Sequence, residues 1–204
     1  MESVEPFQKW IPIFLKILGV VAYVFAFVWS IVLFVGVFLG RDNIEISSLV
    51  LHLIGSSLMA LFNVLIGTVL IMLFWNRSNK ISTLHNESDF TLLQIAVILI
   101  RLSGEAAFIV LITTGIHGLM AGIFGIGIPG VINFLYIPSS DVDMSIAVDL
   151  AFGVISIIAS TIYGIIALIS SYIFAALLNL VVGMAKDLRK IDTTLSTDEI
   201  SSES

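Results

Sequence analysis

The chain has 204 residues, of which 58% are hydrophobic and 12% charged, and its mean hydropathy is +1.12. A water-soluble domain of this size could not bury so much apolar side chain, so the composition describes a membrane protein. The formal charge of −6 argues against nucleic-acid binding, and the absence of cysteine excludes disulfides, thiolate catalysis and cysteine-ligated metals.

Four apolar runs are long enough for a hydrocarbon core, which takes about 20 helical residues. They predict an all-α membrane protein: an antiparallel four-helix transmembrane bundle with a short N-terminal interfacial helix and a long last helix, in one membrane domain over 17–190. The opening MESVEPF lacks the basic start of a cleavable signal peptide, so the first span is expected to be retained. Within 1–16, Phe7, Trp10, Ile11, Phe14 and Leu15 recur at helical spacing away from Lys9 and Lys16. That pattern suits an interfacial helix bent or interrupted near Pro12. The first crossing follows at 17–39.

The second span covers 49–75, and the polar stretch NRSNKISTLHNESD, Asn76 to Asp89, is expected to be a loop. Ser88 and Asp89 are both suited to cap the next helix. The third span runs over 90–122, where six glycines between Gly115 and Gly130, with Pro129, progressively weaken a regular helix. From 123 to 144 the chain is apolar but broken by Pro129 and Pro138, and a loop on the membrane surface is expected, with a re-entrant segment as the alternative. The last run, 145–184, would be roughly 60 Å long as one helix, about twice the hydrocarbon thickness. It must project from the lipid or break near Ser170 and Ser171. The acidic, Ser/Thr-rich tail 191–204 is expected to be disordered.

Four spans put Lys9, Lys16, Arg77, Lys80, Lys186, Arg189 and Lys190 on one side and Arg41 alone on the other. Both termini should then be cytoplasmic, in a plasma or inner membrane, by the positive-inside rule. Each span also carries small or polar residues at helical spacing. They are Gly19, Ala22, Ala26 and Ser30 in the first and His52, Ser56, Ala60, Asn63 and Gly67 in the second. The third offers Gln94, Arg101, Gly104 or Glu105, then Gly115, Gly118 and Gly122, and the fourth Asp149, Gly153, Ser156, Ser160, Gly164, Ala167, Ser171 and Ala175. Small residues let helices approach closely in lipid, so these stripes are expected to face inward.

The candidate functional residues are the charges and polar groups inside the spans. Arg101 and Glu105 stand one helical turn apart in ILIRLSGEAAFIVL and form a candidate intramembrane functional pair. An exposed pair at this spacing gains only about 0.2–0.5 kcal/mol. That cannot offset moving two charges out of water, so a neighbouring helix, a cavity or the headgroups must receive them. His52, Asn63, His117 and Asp149 make a candidate polar track. No HExxH, GxSxG or GxxxxGK[ST] occurs, so the expectation is no enzyme, no metal site and no cofactor. The primary functional reading is a small multi-pass protein acting by association in the bilayer, as a homo-oligomer or with other membrane subunits. The alternative is a channel or transporter using Arg101 and Glu105.

Overall fold

The computed structural model describes the backbone of residues 4–36, 46–84, 91–124 and 146–202, and the side chains of 9–36, 49–84, 91–124 and 150–191. The described chain is helical throughout, as α1 (Val4–Gly36), α2 (Ile46–Ser82), α3 (Thr91–Phe124) and α4 (Ile146–Ser202). All four are long and apolar enough to cross a bilayer, which with the composition describes an integral membrane protein.

The element boundaries depart from the sequence expectations in four places, each with a local cause. Pro12 lies inside α1, so the predicted interfacial helix and first span are one continuous element. A proline this near a helix start removes one intrahelical bond, and apolar neighbours on both sides continue the helix past it. The stretch from Asn76 to Ser82, expected as loop, is the last part of α2. NRSNKIS holds no glycine or proline, and the buried Phe74, Ser78 and Ile81 extend the inward stripe of α2 at helical spacing. The glycine-bearing end of the third span stays regular to Phe124, with Gly115 and Gly118 packed against α4. Finally, α4 is unbroken at Ser170 and Ser171 and continues through Ser202, taking in most of the tail expected to be disordered. No proline or glycine lies between Met184 and Ser202 to stop it. The segment read as loop or re-entrant lies outside the described residues except for Ile123 and Phe124.

The packing is pairwise. α1 lies along α2, and α3 along α4; α2 meets α3 through a thinner seam, while α1 and α4 have no extensive contact among the described residues. In the first pair, the Ser78 hydroxyl donates to the Pro12 carbonyl at 2.8 Å. A Cβ on Gly19 would meet Phe74 and Ile71, one on Gly67 would meet Ala26 and Tyr23, and the Ser30 hydroxyl reaches the Ala60 carbonyl at 3.2 Å. The small-residue stripe of α1 thus lies on that of α2.

The second pair is tighter. A Cβ on Gly115 would stand 2.8 Å from the Ile157 Cα and 2.9 Å from the Ser160 Cβ, and one on Gly153 would stand 2.9 Å from the Leu119 Cα. Gly104 is covered by Ser171 and Gly118 by Ser156. With no side chain between them, the two backbones come close enough for continuous van der Waals contact, the interaction that holds helices together where lipid is as apolar as the side chains.

Two apolar clusters join the pairs. Leu15, Phe74, Ile81, Ile95, Ile98 and Leu102 form one, from α1, α2 and α3. Leu33 and Met59 form the other, with Trp29, Met120, Ala121 and Phe124 packed on it. α4 contributes to neither and is held by its small residues on α3.

Candidate functional site

The apolar cluster around Leu102 is flanked by the charged residues of the chain's interior, and three helices converge on one carboxylate. Because α2 continues past Trp75, Arg77 is carried on a helix facing α3. Its Nε donates to Glu105 Oε2 at 3.1 Å, and its Nη2 donates to Glu105 Oε1. The pair is therefore bidentate, the geometry in which guanidinium and carboxylate interact most strongly. It is also shielded, with side-chain exposures of 17% for Arg77 and 15% for Glu105. From α4, the Tyr172 hydroxyl donates to the same Oε1 at 2.6 Å. Glu105 thus ties α2, α3 and α4 together.

Arg101 is in the same cluster but is not the partner of Glu105. Its guanidinium carbon lies 5.4 Å from the centroid of the Tyr172 ring, a cation–π contact. Its Nε is buried and donates to no acceptor. The four side chains form a chain of contacts, Arg77 to Glu105 to Tyr172 to Arg101. With two guanidiniums and one carboxylate, the set carries one positive charge in excess.

Close helix approach positions the cluster. Gly104 precedes Glu105 and Ser171 precedes Tyr172, and the missing side chain at Gly104 is the space Ser171 fills. The small-residue contact brings the phenol within reach of the carboxylate.

The candidate polar track is placed in parts. Asn63 and His117 are both buried. His117 packs edge-on against Phe62, the neighbour of Asn63, with ring centroids 6.1 Å apart. Asn63 Nδ2 and His117 Nε2 have no hydrogen-bond partner among the described residues, and the same holds for the hydroxyls of Ser56 and Ser160. Ser160 is the residue a Cβ on Gly115 would touch, so it lies near the level of His117. His52 is half-buried on α2, roughly three turns from Asn63. Asp149 falls within the α4 backbone, its side chain outside the described set. Among the described residues, no three His, Asp or Glu side chains are grouped so as to hold a metal ion.

Two members of the charged cluster, Arg77 and Tyr172, escape the sequence reading. Arg77 is assigned to a loop there, although the recurrence of Phe74, Ser78 and Ile81 signals continued helix. Tyr172 lies in a long apolar run, where its hydroxyl is the only sign that it needs a polar partner. Comparison with protein-family models, with curated proteins and with solved structures gives no match.

Proposed function

We propose that the chain is an antiparallel four-helix membrane protein that acts by association in the bilayer, as a homo-oligomer or as a subunit beside other membrane chains, with no chemistry of its own. The observation that carries this reading is the open helix arrangement. Each helix packs on its sequence neighbour, but among the described residues α1 and α4 make no extensive contact, so two outer helices keep faces that further helices can cover. Asn179 supports it, as an exposed carboxamide among the exposed Leu177, Leu180 and Val181 of α4. In lipid such a group gains from a partner helix. Glu105 is engaged as a structural tie, which suits a fixed scaffold.

The antiparallel arrangement is supported by the contact register. Partners on α2 fall from Ser78 to Ala60 as those on α1 rise from Pro12 to Ser30, and on α4 they fall from Tyr172 to Ser156 as those on α3 rise from Glu105 to Gly118. This register gathers Lys9, Lys16, Arg77, Lys80 and Lys186 toward one end, which favours cytoplasmic termini. Reporter fusions at Asn79 and Ser204 are expected to read cytoplasm, and one at Ser140 the opposite side. Association is tested by native mass in lipid nanodiscs with identification of co-purifying chains. A defined oligomer or a stoichiometric partner is expected, and a strict monomer would refute the reading.

One observation favours the channel or transporter alternative. Asn63, His117, Ser56 and Ser160 hold buried polar atoms without partners among the described residues, and such groups in a membrane protein gain from water or a passing ion. Flux through wild-type protein in liposomes, abolished by Glu105→Gln and Arg101→Met with assembly intact, would establish that reading over association.

A further inference from the structure

We propose that Arg101, seated on Tyr172, binds the phosphate group of an anionic ligand, with a lipid headgroup of the leaflet nearest the start of α3 as the first source and free phosphate as the second. The inference rests on reading the chain as bilayer-spanning. It begins from the excess positive charge of the cluster. Arg77 and Glu105 neutralise one another through two hydrogen bonds, and the remaining face of the carboxylate is taken by the Tyr172 hydroxyl. Arg101 is left with a ring face and no anion. Its guanidinium makes no hydrogen bond or ion pair among the described residues, and its Nε is buried.

An uncompensated guanidinium is costly in lipid, and its planar fork of donors matches the oxygens of phosphate. Depth decides whether a headgroup can reach it. α3 has 34 residues, roughly 50 Å of helix against a hydrocarbon core of about 30 Å. A centred helix therefore leaves about 10 Å outside each boundary. Arg101, about 15 Å from the start at Thr91, then lies only some 5 Å inside the boundary, within reach of a snorkelling side chain. Tyr172, 41% exposed, leaves the site open on the α4 side. The same end carries the exposed Lys80, and basic sites between helices near such an interface suit anionic headgroups. The Tyr172 ring fixes the guanidinium plane, and the hydrogen bond to Glu105 fixes the ring.

The test uses the full chain. Resistance to alkaline carbonate extraction is read first; a chain stripped from membranes by carbonate refutes the bilayer reading itself. Protein is then reconstituted in nanodiscs of phosphatidylcholine containing phosphatidylglycerol, and retained lipid is measured by native mass spectrometry. Phosphatidylglycerol is expected to be enriched on wild type. Arg101→Gln is expected to reduce that enrichment about tenfold, the change that corresponds to about 1.4 kcal/mol. Tyr172→Leu, which removes the seat without changing charge, should weaken it, and Arg101→Lys should restore only part. Lys186→Gln should retain it. In lipid-depleted detergent, inorganic phosphate is added as a separate arm; protection against unfolding that Arg101→Gln loses, without phosphatidylglycerol enrichment, assigns the site to a free anion. No preference in either arm overturns the proposal, as does full enrichment in Arg101→Gln or equal loss in Lys186→Gln. If Arg101→Gln does not fold, Tyr172→Leu and Arg101→Lys decide by the same readouts.

Discussion

A double-mutant cycle can separate the two partners available to Glu105. Sequence spacing offers Arg101, one turn away on the same helix; the structure gives Arg77, from α2, with two hydrogen bonds. An intrahelical pair at this spacing couples by only about 0.2–0.5 kcal/mol. The Arg77–Glu105 pair is bidentate and mostly shielded from solvent, so removing one member leaves a charge without its counter-ion. Losses of that kind run to about 3–5 kcal/mol when burial is complete. With some 15–17% of each side chain still exposed, Glu105→Met is expected to cost about 2–3 kcal/mol, below that full-burial range. The double variant Arg77→Met/Glu105→Met should recover a large part, giving a coupling of at least about 1.5 kcal/mol, within the range found for residues sharing a salt-bridge network. The Arg101/Glu105 cycle should give about 0.5 kcal/mol or less. Stability is read from SDS titration in mixed micelles, followed by circular dichroism. A larger coupling to Arg101 than to Arg77 would refute the cross-helix assignment.

Three further outcomes follow from the packing. Gly115→Ala places a methyl group 2.8 Å from a backbone carbon of α4 that cannot rotate away, and overpacking of this type costs about 1–3 kcal/mol. Gly183→Ala has nothing within 4 Å of the new methyl, so it should be neutral or gain up to about 1 kcal/mol from helix propensity; the same SDS titration compares the two. His117→Leu removes a buried ring nitrogen that has no partner among the described residues and keeps an apolar contact for Phe62. Replacing an unsatisfied polar group by an apolar one is near neutral or stabilising, so the thermal midpoint should hold or rise. A marked fall would show that the imidazole has a partner in the membrane-embedded protein.

The helical architecture is readable from the sequence because each span repeats small residues at the spacing of one helix face. Gly19, Ala26 and Ser30 do meet α2, and Gly104, Gly115 and Gly118 do meet α4. The stripes do not say which helix faces which. All four have similar small-residue faces, so pairing is decided by the fit of particular residues, such as Ser171 over Gly104. The charged cluster is half legible for the same reason. Arg101 and Glu105 stand out because charge is rare in an apolar run, whereas Arg77 is concealed by the polar residues around it. A hydropathy reading ends the helix at Asn76, although Ser78 and Ile81 keep the helical period. Tyr172 is recognised only when Glu105 is brought to it across the α3–α4 contact. Pro12 misleads in the opposite sense, since a proline near a helix start does not end the helix when apolar packing holds both sides.

The pairwise packing has a consequence for assembly. α1 with α2 and α3 with α4 each bury their closest contacts between sequence neighbours, so each helix pair can form without waiting for the other. A cut between Leu84 and Thr91 would sever the covalent link and leave both pair interfaces whole. Docking of the halves would then fall to the two apolar clusters, the Phe62–His117 edge contact and the Arg77–Glu105 bond. Co-expressed halves are expected to recombine in the membrane, with the ion pair setting their alignment as they meet.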